Sequence, residues 1–188
     1  MKKLILITGD LATGKSTFAN ILSKKYNIPV MYKDKVKEVL CESIGFSDRE
    51  ENLKLSIAAV ELIIYSFSEL ATLGIDVILE ANFKENELTK IHTIAKKSGY
   101  DVLTLRLTAD IDIIYHRFVN RIENENRHPA HISGFDGYDS LKCYIEAGRK
   151  QVIPGRILEI NADDFSYQED IATLSFIDRF MGEKHENN

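Results

Sequence analysis

The chain opens with the apolar run Leu4-Ile5-Leu6-Ile7-Thr8 and passes straight into Gly9-Asp10-Leu11-Ala12-Thr13-Gly14-Lys15-Ser16-Thr17. Two glycines bracket four residues and a lysine and two hydroxyls follow, which satisfies the pattern G-x4-G-K-[ST]. The run before the loop reads as a short strand over 4–8, apolar throughout as central parallel strands tend to be. The residues after it read as a helix over 15–25, with Phe18, Ile21 and Leu22 on the inner face. Strand, glycine-bounded loop and helix in that order make a cradle for phosphate. The glycines let the backbone wrap closely, and its N–H groups and the helix N-terminus then face an anion. Lys15 would reach the β- and γ-phosphates as a point charge, Ser16 would ligate Mg²⁺, and Thr17 would contact the α-phosphate. Residues Gly9 through Thr17 are therefore predicted to bind a nucleotide.

Further along, strands alternate with helices. Strands are predicted over 28–31, 75–80, 101–107 and 156–160, and helices over 35–41, 85–98, 111–125 and 168–181. A long apolar-periodic helix runs through Leu73 to a stop at Gly74. Ser47-Asp48-Arg49-Glu50 introduces it as a capping box, serine and glutamate satisfying each other's end. Residues 124–131 are polar and broken by Pro129, so the chain up to about Tyr138 reads as an excursion from the core. The alternation predicts an α/β fold, a mostly parallel sheet between helix layers.

Three clusters bear on what the phosphate does next. Asp34 ends the second strand, where ligands gather in open α/β sheets, and is placed to accept a proton from an acceptor hydroxyl. The plainer role for Asp34 is the N-cap of the helix that follows. Glu80 ends the third strand, as a Walker-B carboxylate acting on Mg²⁺ does, or else serves the acceptor or points into solvent. Arg117 and Arg121 lie four apart on one helical face beside Ile114, Phe118 and Ile122, and Arg127 follows in the excursion. Such guanidiniums neutralise charge on a transferring phosphoryl group, or else pair with surface carboxylates.

This order of motifs resembles the small P-loop kinases, especially the branch with polynucleotide kinase, zeta-toxin and chloramphenicol phosphotransferase domains. The resemblance rests on the loop, on Tyr32-Lys33-Asp34-Lys35-Val36-Lys37 and on Arg117 through Arg127-His128-Pro129. It implies a P-loop NTPase three-layer sandwich, with a five-stranded parallel sheet ordered 2-3-1-4-5. It also implies ATP and Mg²⁺ as cofactors, Lys15 and Ser16 in binding them, Asp34 as general base and Arg121 or Arg127 as lid arginines. Many relatives place a second acid beside the strand-three carboxylate, whereas Ala81 and Asn82 follow Glu80 here. Arg117 and the loop Asn161-Ala162-Asp163-Asp164 would edge the base. The expected unit is a single domain over 1–182 with a lid about 122–138 and a polar tail over 183–188.

The expected reaction passes the γ-phosphoryl group to a hydroxyl of a small molecule or nucleotide. A polynucleotide 5′-hydroxyl acceptor, or a non-catalytic nucleotide sensor or slow ATPase acting on a protein partner, are the alternatives. A net charge of −5 disfavours obligate nucleic-acid binding. The two cysteines, Cys41 and Cys143, form no motif and suit a reduced, cytoplasmic setting. No run of about 18 apolar residues points to a membrane span, and a monomer or homodimer is expected. His128 and His131 lack partners at metal spacing, and Asn161-Ala162-Asp163-Asp164 lacks the lysine of a guanine-specifying motif.

Overall fold

The computed structural model describes residues 1–124, 128–131 and 135–182. Five strands, β1 (Lys2–Gly9), β2 (Val30–Tyr32), β3 (Val77–Glu80), β4 (Tyr100–Thr108) and β5 (Arg156–Asn161), form one sheet. Its order is β2-β3-β1-β4-β5, and every pairing is parallel. Among the described residues seven helices cover it: α1 (Lys15–Tyr26), α2 (Lys33–Ile44), α3 (Arg49–Leu73), α4 (Glu85–Lys97), α5 (Ile111–Asn124), α6 (Tyr138–Arg149) and α7 (Ile171–Met181).

Side chains of β1 alternate between two apolar layers, so the strand is fully apolar in sequence yet obeys the period of two. Ile5 and Ile7 meet Phe18 of α1, Ile114 of α5, Ile145 of α6 and Ile177 of α7 in one layer. Leu4 and Leu6 meet Ile63 and Phe67 of α3 and Ile91 of α4 in the other. Each such fully buried side chain contributes about 1.5–3 kcal/mol, and together they anchor the strand whose end becomes the loop. By length and composition alone α3 would be apolar enough to cross a membrane. Its inner face, including Ile63 and Phe67, instead lies in the sheet core.

Several local expectations are corrected. Tyr32 is the N-cap of α2 and Asp34 stands in its first turn, so Asp34 does not cap the helix. The start of α3 is capped one residue later than the Ser47–Glu50 reading: Asp48 accepts from the Glu51 N–H at 2.9 Å, and Ser47 bonds the Glu51 carboxylate through its own N–H and hydroxyl. Of the apolar stripe on α5, Ile114 and Phe118 are buried but Ile122 is exposed, because α5 has left the core by its last turn. Helix α6 was not anticipated; it buries only Leu141 and Ile145. Within the expected lid, residues 122–124 continue α5, Tyr138 opens α6, and a 3-10 turn spans Pro129–His131. That turn rests on α2, where the Lys37 ammonium donates to the Ala130 carbonyl at 2.7 Å and His131 contacts Glu38 at 2.7 Å.

Candidate active site

Parallel pairing brings the strand ends level, with Tyr32 beside Glu80, Glu80 beside Ile7, and Gly9 beside Leu107. The loop between β1 and α1 therefore sits at the sheet's carboxyl edge, where ligands of such sheets bind. Gly9 has φ +117°, and a Cβ there would lie 2.1 Å from the Leu107 carbonyl oxygen. Only glycine fits a strand this close. The Asp10 N–H donates to that same carbonyl at 2.8 Å. At the far end Gly14 has φ +80°, and an added Cβ would lie 2.7 Å from the Tyr167 hydroxyl, which donates to the Thr13 carbonyl at 2.7 Å. Within the loop the Asp10 carbonyl accepts from the Thr13 hydroxyl at 2.8 Å and from the Lys15 ammonium. Leu11 and Ala12 form the turn between, Ala12 at φ +54°.

Lys15 is buried to 8% exposure. Burial pushes its pKa down, and the negative charges of Glu80, Asp34 and Asp10 oppose that shift. Glu80 is 5% exposed and accepts from the Ser16 hydroxyl at 3.1 Å. Burial pushes its carboxyl pKa up, against the pull of Lys15. Asp34, with its side chain 57% exposed, pairs with Lys33 at 3.1 Å. Desolvation alone would raise the Asp34 pKa, but Lys33, His131 and Lys15 outweigh it and hold the carboxyl below its ordinary value. Lys15, Glu80 and Asp34 thus lie within one another's electrostatic reach. Ser16 and Thr17 open α1 on its exposed side.

A hydroxyl and a carboxylate oxygen are hard donors of the kind Mg²⁺ takes, the rest of its shell coming from phosphate and water. Ser16 and Glu80 fit that role. Among the described residues no group of three or more His, Cys, Asp or Glu gathers as a metal cage.

The arginines divide. Arg121 is close enough to Lys15 to depress its pKa. Arg127 lies outside the described residues. Arg117 spends its donors on the carbonyls of Ala12 (3.4 Å), Ala162 (2.7 Å) and Asp163 (2.6 Å) and stacks 4.2 Å from the Phe165 ring. It braces the phosphate loop against the segment after β5. Asp10 has its side chain engaged elsewhere: its carboxylate, 5% exposed, is held by Arg149 of α6 at 2.6 Å and accepts from the Ala109 N–H at 3.3 Å. Only its backbone is left for a phosphate. Arg149 also donates to the Ala109 carbonyl, and its own carbonyl accepts from Arg106 at 2.6 Å. This residue escaped the sequence reading because its partner lies 139 positions away; the only local signal was a buried acid inside a loop that should repel phosphate.

A phosphate loop, a strand-end carboxylate against its serine and a sheet ordered 2-3-1-4-5 define the P-loop kinase fold. Residues 1–136 match the zeta toxin family, and the chain belongs to that family. No curated protein sequence matches it. Among solved structures, a candidate kinase from Chloroflexus aurantiacus superposes with a TM-score of 0.80 at 24% identity, covering 98% of this chain and 99% of that one. The tunicamycin resistance protein of Deinococcus radiodurans is similar at TM-score 0.64 and 14% identity, covering 98% of each chain. The APS kinase of Mycobacterium tuberculosis, solved with AMPPNP and APS, matches at TM-score 0.63 and 18% identity, over 96% of this chain and 98% of that one.

Proposed function

We propose that the protein is an ATP- and Mg²⁺-dependent phosphotransferase that moves the γ-phosphoryl group to a hydroxyl of a small molecule or nucleotide. The loop residues Gly9 to Thr17 hold the nucleotide phosphates, and Lys15 lies over the β- and γ-oxygens once they displace it from the Asp10 carbonyl. Ser16 and Glu80 would hold Mg²⁺, which would supply charge neutralisation to the phosphates. Asp34 orients the acceptor and takes its hydroxyl proton as the oxygen bonds phosphorus and the bond to ADP breaks. With its pKa held low, Asp34 is a better orienting group than a strong base, which suits a loose transition state in which proton transfer comes late. Arg121, with Arg127, would stabilise charge on the moving group, and closure of residues 122–138 would exclude water.

The observation that carries this reading is Asp34. A sensor or slow ATPase needs the loop and Glu80 but no second carboxylate within reach of Lys15 and Glu80. The test is transfer of label from γ-labelled ATP to a panel of nucleosides, nucleotides, aminoglycosides, sugars and aryl alcohols. Asp34→Asn should lower kcat by about 10²–10⁴-fold with nucleotide affinity within a few-fold of wild type, and Lys15→Ala should abolish transfer. Release of phosphate to water alone, unchanged in Asp34→Asn, would leave the sensor reading standing.

A further inference from the structure

Beside the phosphate loop lies a cavity of about 160 Å³, enclosed by Gly9 to Leu11, by residues 82–84 after β3, and by α6. A cavity of this size holds roughly one six-membered ring. Its walls include Leu11, Phe83, Leu88 and Ile145. Most of its polar groups are already engaged. The Thr8 hydroxyl accepts from the Phe83 N–H at 3.2 Å, Arg106 donates to the Arg149 carbonyl, and Arg149 holds Asp10. The lining also includes the exposed Lys84 and the half-buried Gln151.

Two groups stand apart. The side-chain oxygen of Asn82 is buried and has no hydrogen-bond partner among the described residues, a position that is costly to leave unsatisfied. Tyr144 of α6 lines the same cavity as Asn82. Asn82 stands two residues beyond Glu80 and Gly9 to Leu11 form the opposite wall, so the cavity borders the carboxyl edge of the sheet that carries the candidate site. Tyr144 itself is 48% exposed and leans on Phe135 at a ring separation of 5.2 Å.

Resting on the kinase reading above, we propose that this cavity seats an uncharged, ring-sized apolar body of the phosphoryl acceptor, with Asn82 and Tyr144 as its specificity-determining residues. A ligand hydroxyl or N–H gives the Asn82 oxygen its missing donor, while the Tyr144 hydroxyl reads an acceptor atom on the same ligand. The substrate class is then an aryl or alicyclic alcohol. A polyol would strip several hydroxyls of water against Leu11, Phe83 and Leu88 without partners for them, and each such group is costly to bury.

The experiment is saturation-transfer NMR with benzyl alcohol as the ring probe and methyl glucoside as the polyol, on wild type, Tyr144→Phe and Ile145→Trp. Benzyl alcohol should receive transfer from wild type, fall at least threefold in Tyr144→Phe and drop to background in Ile145→Trp; methyl glucoside should receive none. Ile145→Trp overfills a packed site, and Tyr144→Phe, at a half-exposed position, keeps the test decisive if that variant fails to fold. Absent transfer to benzyl alcohol, equal transfer in all three proteins, or a preference for methyl glucoside would overturn the proposal. Transfer of label from γ-labelled ATP, run on the same samples, separates the two readings. Benzyl alcohol bound without any phosphoryl transfer to the acceptor panel would sink the kinase reading and spare the cavity, and the reverse result would do the opposite.

Discussion

Glu80 and Lys15 are ionisable side chains held almost out of water, and each is shifted toward its neutral form by that burial. A site kept ready for a charged ligand costs stability until the ligand arrives. For Glu80 the sign is definite. Its folded carboxyl titrates above the ordinary value of 4.5, so the unfolded chain releases this proton first as pH rises. Between 4.5 and the raised folded value the native state holds more protons, and ligand-free stability falls with increasing pH. Glu80→Gln lacks this loss. The difference in Tm between the variant and wild type, measured without nucleotide, should therefore grow from pH 4.5 upward and then level off. In a chain of this length each kcal/mol reads as about 2–4 °C. A difference independent of pH would mean that Glu80 is not strained in the resting site. Lys15, Ser16 and Gly9 were legible in the sequence because a loop motif puts cause and effect within eight positions. The bond between Ser16 and Glu80 spans 64 positions, and no local pattern carries it.

Helix α6 links the end of the 122–138 segment to the phosphate loop, since its last residue, Arg149, grips Asp10. Removing one partner of a buried ion pair leaves the other charge stranded, at about 3–5 kcal/mol. Arg149→Ala should accordingly lower Tm by about 10 °C and weaken nucleotide binding, because Asp10 supplies the loop's first turn. Adding Asp10→Asn should recover at least half of that loss, since the stranded charge is gone; additive losses in the double variant would show that the pair is not coupled. The strands and most helices were readable from periodicity, with their ends off by one to three residues where caps decide. Helix α6 was not, because two buried positions, Leu141 and Ile145, one turn apart, make too thin a stripe to register beside a proline-broken stretch. The same scarcity of apolar contacts explains how Arg149 comes to anchor it.

On the scale of the whole molecule, the parallel register puts the phosphate loop, Glu80 and Asp34 at one edge of the sheet, while the two apolar layers beneath carry the stability. The sheet order followed from the resemblance to P-loop kinases; the alternation of strands and helices by itself required only that the sheet be parallel. What neither could supply is how the charges at this edge are partnered: Lys15 donates to the Asp10 carbonyl and Glu80 accepts from Ser16, each group taking a partner from the protein. Nucleotide and metal together should replace those stand-ins, so ligand stabilisation should be cooperative between them. At a hundred times its Kd a ligand stabilises by about 2.7 kcal/mol, or about 5–10 °C here. ATP with Mg²⁺ should give a shift of that size in Tm, and ATP with EDTA a smaller one, since Glu80 then faces phosphate with no cation between. Glu80→Gln should lose the Mg²⁺-dependent part of the shift and keep the rest, whereas Lys15→Ala should lose nearly all of it. Equal shifts with and without Mg²⁺ would remove Ser16 and Glu80 from the metal site and leave Glu80 to the acceptor.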